Sequence, residues 1–269
     1  MKKFFILLIF LSSLAAQERI VSLSPSITEM LFALGCGKCV VATTTYSNYP
    51  KEAKKLPVIG NYAAVDLEKL FALKPTLVVA QAFELQTVEK LNKLGIKTIT
   101  LQLDTLFHIQ NALTQLADAL NKEKEAQKLN EQIQTAIKNA KHSKTSKKVL
   151  VVFGLMPTLK GAMYVSGKSL FYNEILKICG DENVYGDKKT AQLVVNLEDI
   201  ILRNPDAVII IAPKNAQKLS QKQKALSNWQ HLPIKAAKNG AVYLLEGDYI
   251  AMPSHRVAKS IEQICEVLE

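Results

Sequence analysis
A fifteen-residue pattern occurs twice in this chain, 130 residues apart. Val65-Asp66-Leu67-Glu68-Lys69-Leu70 leads to Lys74-Pro75-Thr76-Leu77-Val78-Val79, and Val195-Asn196-Leu197-Glu198-Asp199-Ile200 leads to Asn204-Pro205-Asp206-Ala207-Val208-Ile209, with five identities in register. Each copy reads as a short helix with a glutamate in its first turn, a proline that cannot continue it, and an apolar run of strand type. Many α/β helices end in proline ahead of a strand, so the weight lies on the constant offset. One supersecondary unit holds the same place in two similar lobes.

The rest of the chain fits that plan. Arg19 to Leu23, Val40 to Thr44, Leu77 to Ala80 and Thr98 to Leu101 read as strands separated by amphipathic segments, and Val149 to Phe153, Ala207 to Ile211 and Ala241 to Leu245 repeat the scheme. This alternation predicts an α/β fold with parallel sheets. Ser26-Ile27-Thr28-Glu29 has the form of a capping box, which places a helix start just after the first strand. Between the lobes, apolar residues recur at Ile109, Leu113, Leu116, Leu120, Leu129, Ile133 and Ile137, without Gly or Pro from about Leu106 to Lys148. Some 35 helical residues would run roughly 50 Å, enough to brace one lobe against the other and keep hinge motion small. The expected fold is two parallel-sheet lobes bridged by one long helix, with an N-terminal lobe over 17–105, the bridging helix and its exit loop over 106–146, and a C-terminal lobe over 147–269.

Met1-Lys2-Lys3, the apolar run Phe4 to Leu11 and the small residues Ser12 to Ala16 read as a cleavable signal peptide over 1–16, too short to span a bilayer comfortably. No cysteine closes it to take a lipid, so the mature chain is expected free in a periplasm. The formal net charge of +10 comes almost wholly from lysine, since Arg19, Arg203 and Arg256 are the only arginines. Dispersed lysine is a solvated surface, and export together with the lack of an Arg and aromatic cluster argues against nucleic-acid binding. With 48% apolar residues the chain can bury two sizeable cores.

Catalytic motifs do not emerge. Ser166-Gly167-Lys168-Ser169 resembles the end of a phosphate loop, but five residues separate its Gly167 from Gly161 where the motif needs four. His108, His142, His231 and His255 lack paired zinc spacing, which leaves a direct metal-ion binder as a minor alternative and an exported hydrolase as a remote one.

From Arg19-Ile20-Val21-Ser22-Leu23-Ser24-Pro25 to the last helix, the chain resembles the periplasmic substrate-binding proteins that deliver vitamin B12, haem and iron-siderophore complexes to ABC importers. Tyr46-Ser47-Asn48-Tyr49-Pro50, the segment Leu67-Glu68 to Lys74-Pro75, Phe153-Gly154 and Cys179-Gly180-Asp181-Glu182-Asn183-Val184-Tyr185 carry the likeness through their order and spacing. It is greatest to the vitamin B12-binding branch, which has cysteines at the places of Cys179 and Cys265. The resemblance implies a monomer with a shallow interlobe cleft, no catalysis, no cofactor, and a Cys179–Cys265 disulfide. It also implies an inner-membrane permease dimer as partner, docked through Glu68 and Glu198. Cys36-Gly37-Lys38-Cys39 departs from the family pattern, and either a local disulfide or two free thiols would suit it.

Loops beyond the carboxyl ends of strands line the crevice of such sheets. That nominates Tyr46, Tyr62, Phe83, Met163, Tyr164, Asp248 and Tyr249 for ligand binding. His255 would either reach a metal centre or serve at a helix start. Aromatic walls rank cobalamin or a related corrinoid first, an iron-siderophore or other metal chelate second, and haem third. Against the first choice, Tyr62 and Gln192 stand where the B12-binding branch has tryptophans, and the single Trp229 lies in a lysine-rich stretch expected at the periphery.

Overall fold
The computed structural model describes residues 18–61, 64–156, 158–213 and 218–269, so the expected signal peptide and Tyr62 lie outside the described residues. The first lobe contains β1 (Ile20–Ser22), α1 (Pro25–Ala33), β2 (Val40–Ala42), α2 (Leu67–Ala72), β3 (Leu77–Gln81), α3 (Leu85–Lys93) and β4 (Thr98–Leu101). Its sheet runs β2-β1-β3-β4 with every pair parallel. Helices cover both faces, which is why β3 is buried from Leu77 to Ala80 without alternation.

The segment expected as one long helix is two: α4 (Leu106–Leu120) and α5 (Glu123–Lys138). Asn121 adopts the left-handed conformation, φ 55°, and ends α4 as glycine would. The helices fold back on each other, with Asn130 Nδ2 donating to Gln110 O at 3.3 Å and Gln134 Nε2 to Gln110 Oε1 at 3.0 Å. A helical hairpin therefore does the bracing.

The second lobe contains β5 (Lys148–Phe153), β6 (Met163–Ser166), α6 (Phe171–Ile178), β7 (Glu182–Asn183), β8 (Gln192–Val195), α7 (Leu197–Arg203), β9 (Ala207–Ala212), α8 (Leu219–Gln230), α9 (Lys235–Lys238), β10 (Val242–Glu246) and α10 (Val257–Leu268). Its sheet, β10-β9-β5-β6-β8 with β7 beside β5, is mixed: β10, β9, β5 and β7 are parallel, while β6 is antiparallel to β5 and β8. The connection from β5 to β6 is too short for a parallel crossover, so the chain returns antiparallel.

The repeat survives as structure. α2 and α7 begin 130 residues apart, as do β3 and β9. Asp66 caps α2 by accepting from Lys69 N, and Asn196 caps α7 by accepting from Asp199 N. Lys74 and Asn204, again 130 apart, both take positive φ (46° and 47°) just ahead of the prolines.

One apolar core passes through both lobes. It joins Ile20, Met30 and Val79 to Leu113 and Ile133 of the hairpin and on to Val151, Phe171, Ile209 and Ile261. Smaller cores cover the outer faces of each sheet, and Trp229, expected at the periphery, is 1% exposed inside that of the second lobe. The Cys179–Cys265 disulfide joins the end of α6 to α10. Cys36 and Cys39 are free thiols, and burial raises the pKa of the Cys36 thiol, aided by the nearby Cys39.

The capping box does not form. Proline favours the first helical position, and α1 starts at Pro25 behind Ser24. Glu29 is 4% exposed and bonded instead to Arg256 and Ser254 of the other lobe.

Candidate functional site
Two cavities open where the lobes meet, and both touch Ala251. The larger, about 610 Å³, collects the carboxyl ends of β3 and β4 (Gln81, Ala82, Phe83; Gln102, Leu103, Asp104) from the first lobe. Facing them are Phe153 at the end of β5, Phe171 and Tyr172 at the start of α6, and Gln192 at the start of β8. The crevice thus follows from topology, since parallel strands deliver their following loops to one edge. Phe171 and Tyr172 lie 4.2 Å apart between ring centroids, and Tyr172 turns its hydroxyl away to donate to Ile250 O at 2.6 Å. Burial raises the Tyr172 pKa, so that hydroxyl stays protonated. The first-lobe wall is stiffened by Gln81 Nε2 donating to Ser24 Oγ at 2.5 Å and Gln81 N donating to Glu84 Oε2 at 2.7 Å. Burial raises the carboxyl pKa of Glu84.

The smaller cavity, about 210 Å³, is lined by Tyr46, Asn48, Tyr49, Glu29, Asp248 and Met252 among others. Arg256 holds its far side together. Its Nε donates to Glu29 Oε2 at 2.9 Å, its Nη2 pairs with Glu29 Oε1, and its Nη1 donates to Asp248 Oδ1 at 2.9 Å. The guanidinium carbon sits 3.8 Å from the centroid of the Tyr49 ring, a cation–π contact from the first lobe. Ser254 Oγ adds a bond to Glu29 at 2.7 Å. Burial raises the pKa of Glu29 more than the bonds from Arg256 and Ser254 lower it. Burial alone would lower that of Arg256, but its carboxylate partners raise it.

The nominated residues divide. Phe83, 62% exposed, lines the larger cavity, while Tyr46, 71% exposed, and Asp248 line the smaller. Tyr164 pairs with Phe153 across β6 and β5, so it stands on the same face one strand beyond the larger cavity. Met163 does not reach either: strand alternation turns it, fully buried, into the second-lobe core. Tyr249 packs against the main core and donates its hydroxyl to Gln263 Oε1 at 2.9 Å. His255 is half-buried and lines neither cavity. Lining residues of the larger cavity that were not nominated include Gln81, Gln102 and Asp104. The strand-end rule points at their positions, but a preference for aromatics passed over them.

Two α/β lobes share a core and meet over an open cleft of aromatic and amide side chains, the architecture of a bilobed solute-binding protein. The chain belongs to the periplasmic binding protein family, whose pattern matches residues 20–249. It is 32% identical over 260 residues to the vitamin B12-binding protein of Salmonella typhimurium, covering 95% of this chain and 91% of that one. It is 31% identical over 271 residues to the vitamin B12-binding protein of Vibrio parahaemolyticus, covering 97% and 94%. Among solved structures, S. aureus IsdE complexed with heme matches with a TM-score of 0.73 at 26% identity, covering 93% of this chain and 98% of that one. The periplasmic vitamin B12 binding protein of Vibrio cholerae matches with a TM-score of 0.72 at 22% identity, covering 93% and 96%, a likeness of fold. No helix among the described residues is long and apolar enough to cross a membrane.

Proposed function
We propose that this chain is the solute-binding component of an ABC importer, working in the periplasm after loss of residues 1–16, and that it captures cobalamin or a related corrinoid. The ligand reading rests on near-full-length relatives named for vitamin B12 combined with a cleft whose polar lining is largely glutamine amide. A corrin presents a flat ring edged with carboxamides. Phe83, Phe153 and Phe171 supply apolar wall, and Gln81, Gln102 and Gln192 supply both donors and acceptors. Equilibrium dialysis of the mature protein against cyanocobalamin should give a dissociation constant below about 10 μM, roughly −7 kcal/mol. A chelate reading draws on the likeness to the haem complex of IsdE. Binding of hemin or a ferric siderophore without binding of cyanocobalamin would move the assignment there.

The same proposal includes delivery to a permease dimer in the inner membrane. Glu68 and Glu198 hold equivalent places in α2 and α7, and both are exposed. One carboxylate from each lobe can orient the protein on a basic partner surface, each contributing about 1 kcal/mol or less unless docking desolvates it. Glu68→Ala combined with Glu198→Ala should leave ligand affinity within about twofold, as expected of surface changes, and weaken co-purification with the permease. Undiminished permease binding at low ionic strength would refute the docking role.

A further inference from the structure
The larger cavity is poor in charge although the chain as a whole carries +10. Among its described lining residues, Asp104 is the charged one, and the other polar side chains are Gln81, Gln102, Gln192 and a Tyr172 hydroxyl already spent on Ile250. We propose that Asp104 sets the charge selectivity of this cleft, admitting neutral or cationic solutes and turning away those that present free carboxylates. The inference deepens the solute-binding role proposed above, and rests on the cleft being the solute site.

Asp104 lies between the end of β4 and the start of α4. Its Oδ1 accepts from His108 Nδ1 at 2.6 Å, one turn into the helix, so the carboxylate is held in place while its side chain remains 47% exposed. Two further carboxyl groups stand next to this wall, outside the cavity lining. Glu84 accepts from Gln81 N, and Glu174 accepts from Leu106 N at 2.5 Å. The positive end of α4 is the local feature that would favour an anion. Two of its first N–H groups are already taken, Leu106 N by Glu174 and His108 N by Thr105 Oγ1. Arg256, beside the smaller cavity, is committed to Glu29 and Asp248. A solute carboxylate entering the larger cavity would therefore meet fixed negative charge between apolar walls, which concentrate the field. At 5–6 Å and an effective dielectric between that of water and a protein surface, one such repulsion lowers affinity roughly 3- to 10-fold.

The test compares cyanocobalamin with its monocarboxylic acid, in which one side-chain amide is hydrolysed, by equilibrium dialysis against the mature protein and Asp104→Asn. The native protein should prefer the neutral compound by roughly 3- to 10-fold at low ionic strength. Asp104→Asn should bring the ratio close to one, and Asp104→Lys should invert it. Reading a ratio keeps the result independent of any general loss of affinity in a variant. Equal affinity of the native protein for both corrinoids, or a preference undiminished in Asp104→Asn, overturns the selectivity and leaves the corrinoid function standing. If neither corrinoid binds, the corrinoid assignment falls, and the selectivity is read on ferrioxamine B, a monocation, against its N-succinyl derivative. Preference for the succinylated chelate, or failure of both to bind, overturns it as well.

Discussion
His255 stands immediately ahead of α10 with its Nδ1 buried and without a hydrogen-bond partner among the described residues. Burial above all, then the positive charges of Arg256 and Lys259, lower its pKa to about 4. An unfolded histidine titrates near 6.5. Between those values the unfolded chain holds a proton that the folded protein refuses, so this residue makes stability fall as pH drops through the window from about 6.5 to 4. The loss amounts to about 3 kcal/mol once both forms are protonated. Glu29, whose raised pKa works in the opposite sense on acidification, and the other carboxylates move the background. The effect is therefore read as a difference between proteins. Urea midpoints measured from pH 7 to pH 4 should fall more steeply for the native protein than for His255→Asn, and parallel slopes would mean that the imidazole is not kept neutral. A half-buried neutral imidazole away from both cavities acts through stability, which favours the helix-start alternative over metal ligation.

At the level of elements, what could be read from the sequence was whatever its local chemistry decides. The apolar runs of β3 and β9 are buried on both faces, and the caps and prolines of the repeat punctuate both copies alike, so these elements announce themselves. The break in the bridging helix was hidden because Asn121 does the work of a glycine, and the absence of Gly and Pro looked like continuity. β6 and β8 were missed because one face of each is exposed: Tyr164 and Val194 pair across them at 47% and 61% exposure. Once β6 is known to be a strand, alternation alone sends Met163 inward and Tyr164 outward. The Glu29 error is of another kind. Its local spacing fits a cap, but its partner lies 227 residues away, and a buried charge-assisted bond outweighs an exposed helix-end contact. The same limit applied to the cleft, where β-strand ends could be located but facing residues such as Phe171 and Tyr172 could not.

Across the whole molecule, the lobes are tied by the shared core and hairpin, by the Leu106–Glu174 bond, and by Glu29 bonded to Arg256 beneath the Tyr49 ring. These ties support the expectation of small hinge motion, and the ion pair is the one that substitution can isolate. Both its side chains are about 5% exposed. A buried pair contributes little net stability against an apolar replacement, but removing one member leaves the other charge desolvated and unpaired. Glu29→Ala should therefore destabilise the protein by about 3 kcal/mol, near the low end for such losses, because Asp248 still offsets part of the Arg256 charge. Glu29→Met with Arg256→Met removes both charges and should recover most of that loss. It should nonetheless release bound solute faster, since the directional link between lobes is gone while the apolar contacts remain. Urea unfolding at pH 7 and stopped-flow displacement of bound solute measure the two effects separately. Full stability in Glu29→Ala would show that the pair is not buried against solvent as described. A double variant as unstable as Glu29→Ala would place the cost in packing rather than in the stranded charge, and unchanged release would leave the shared core and hairpin as what holds the lobes.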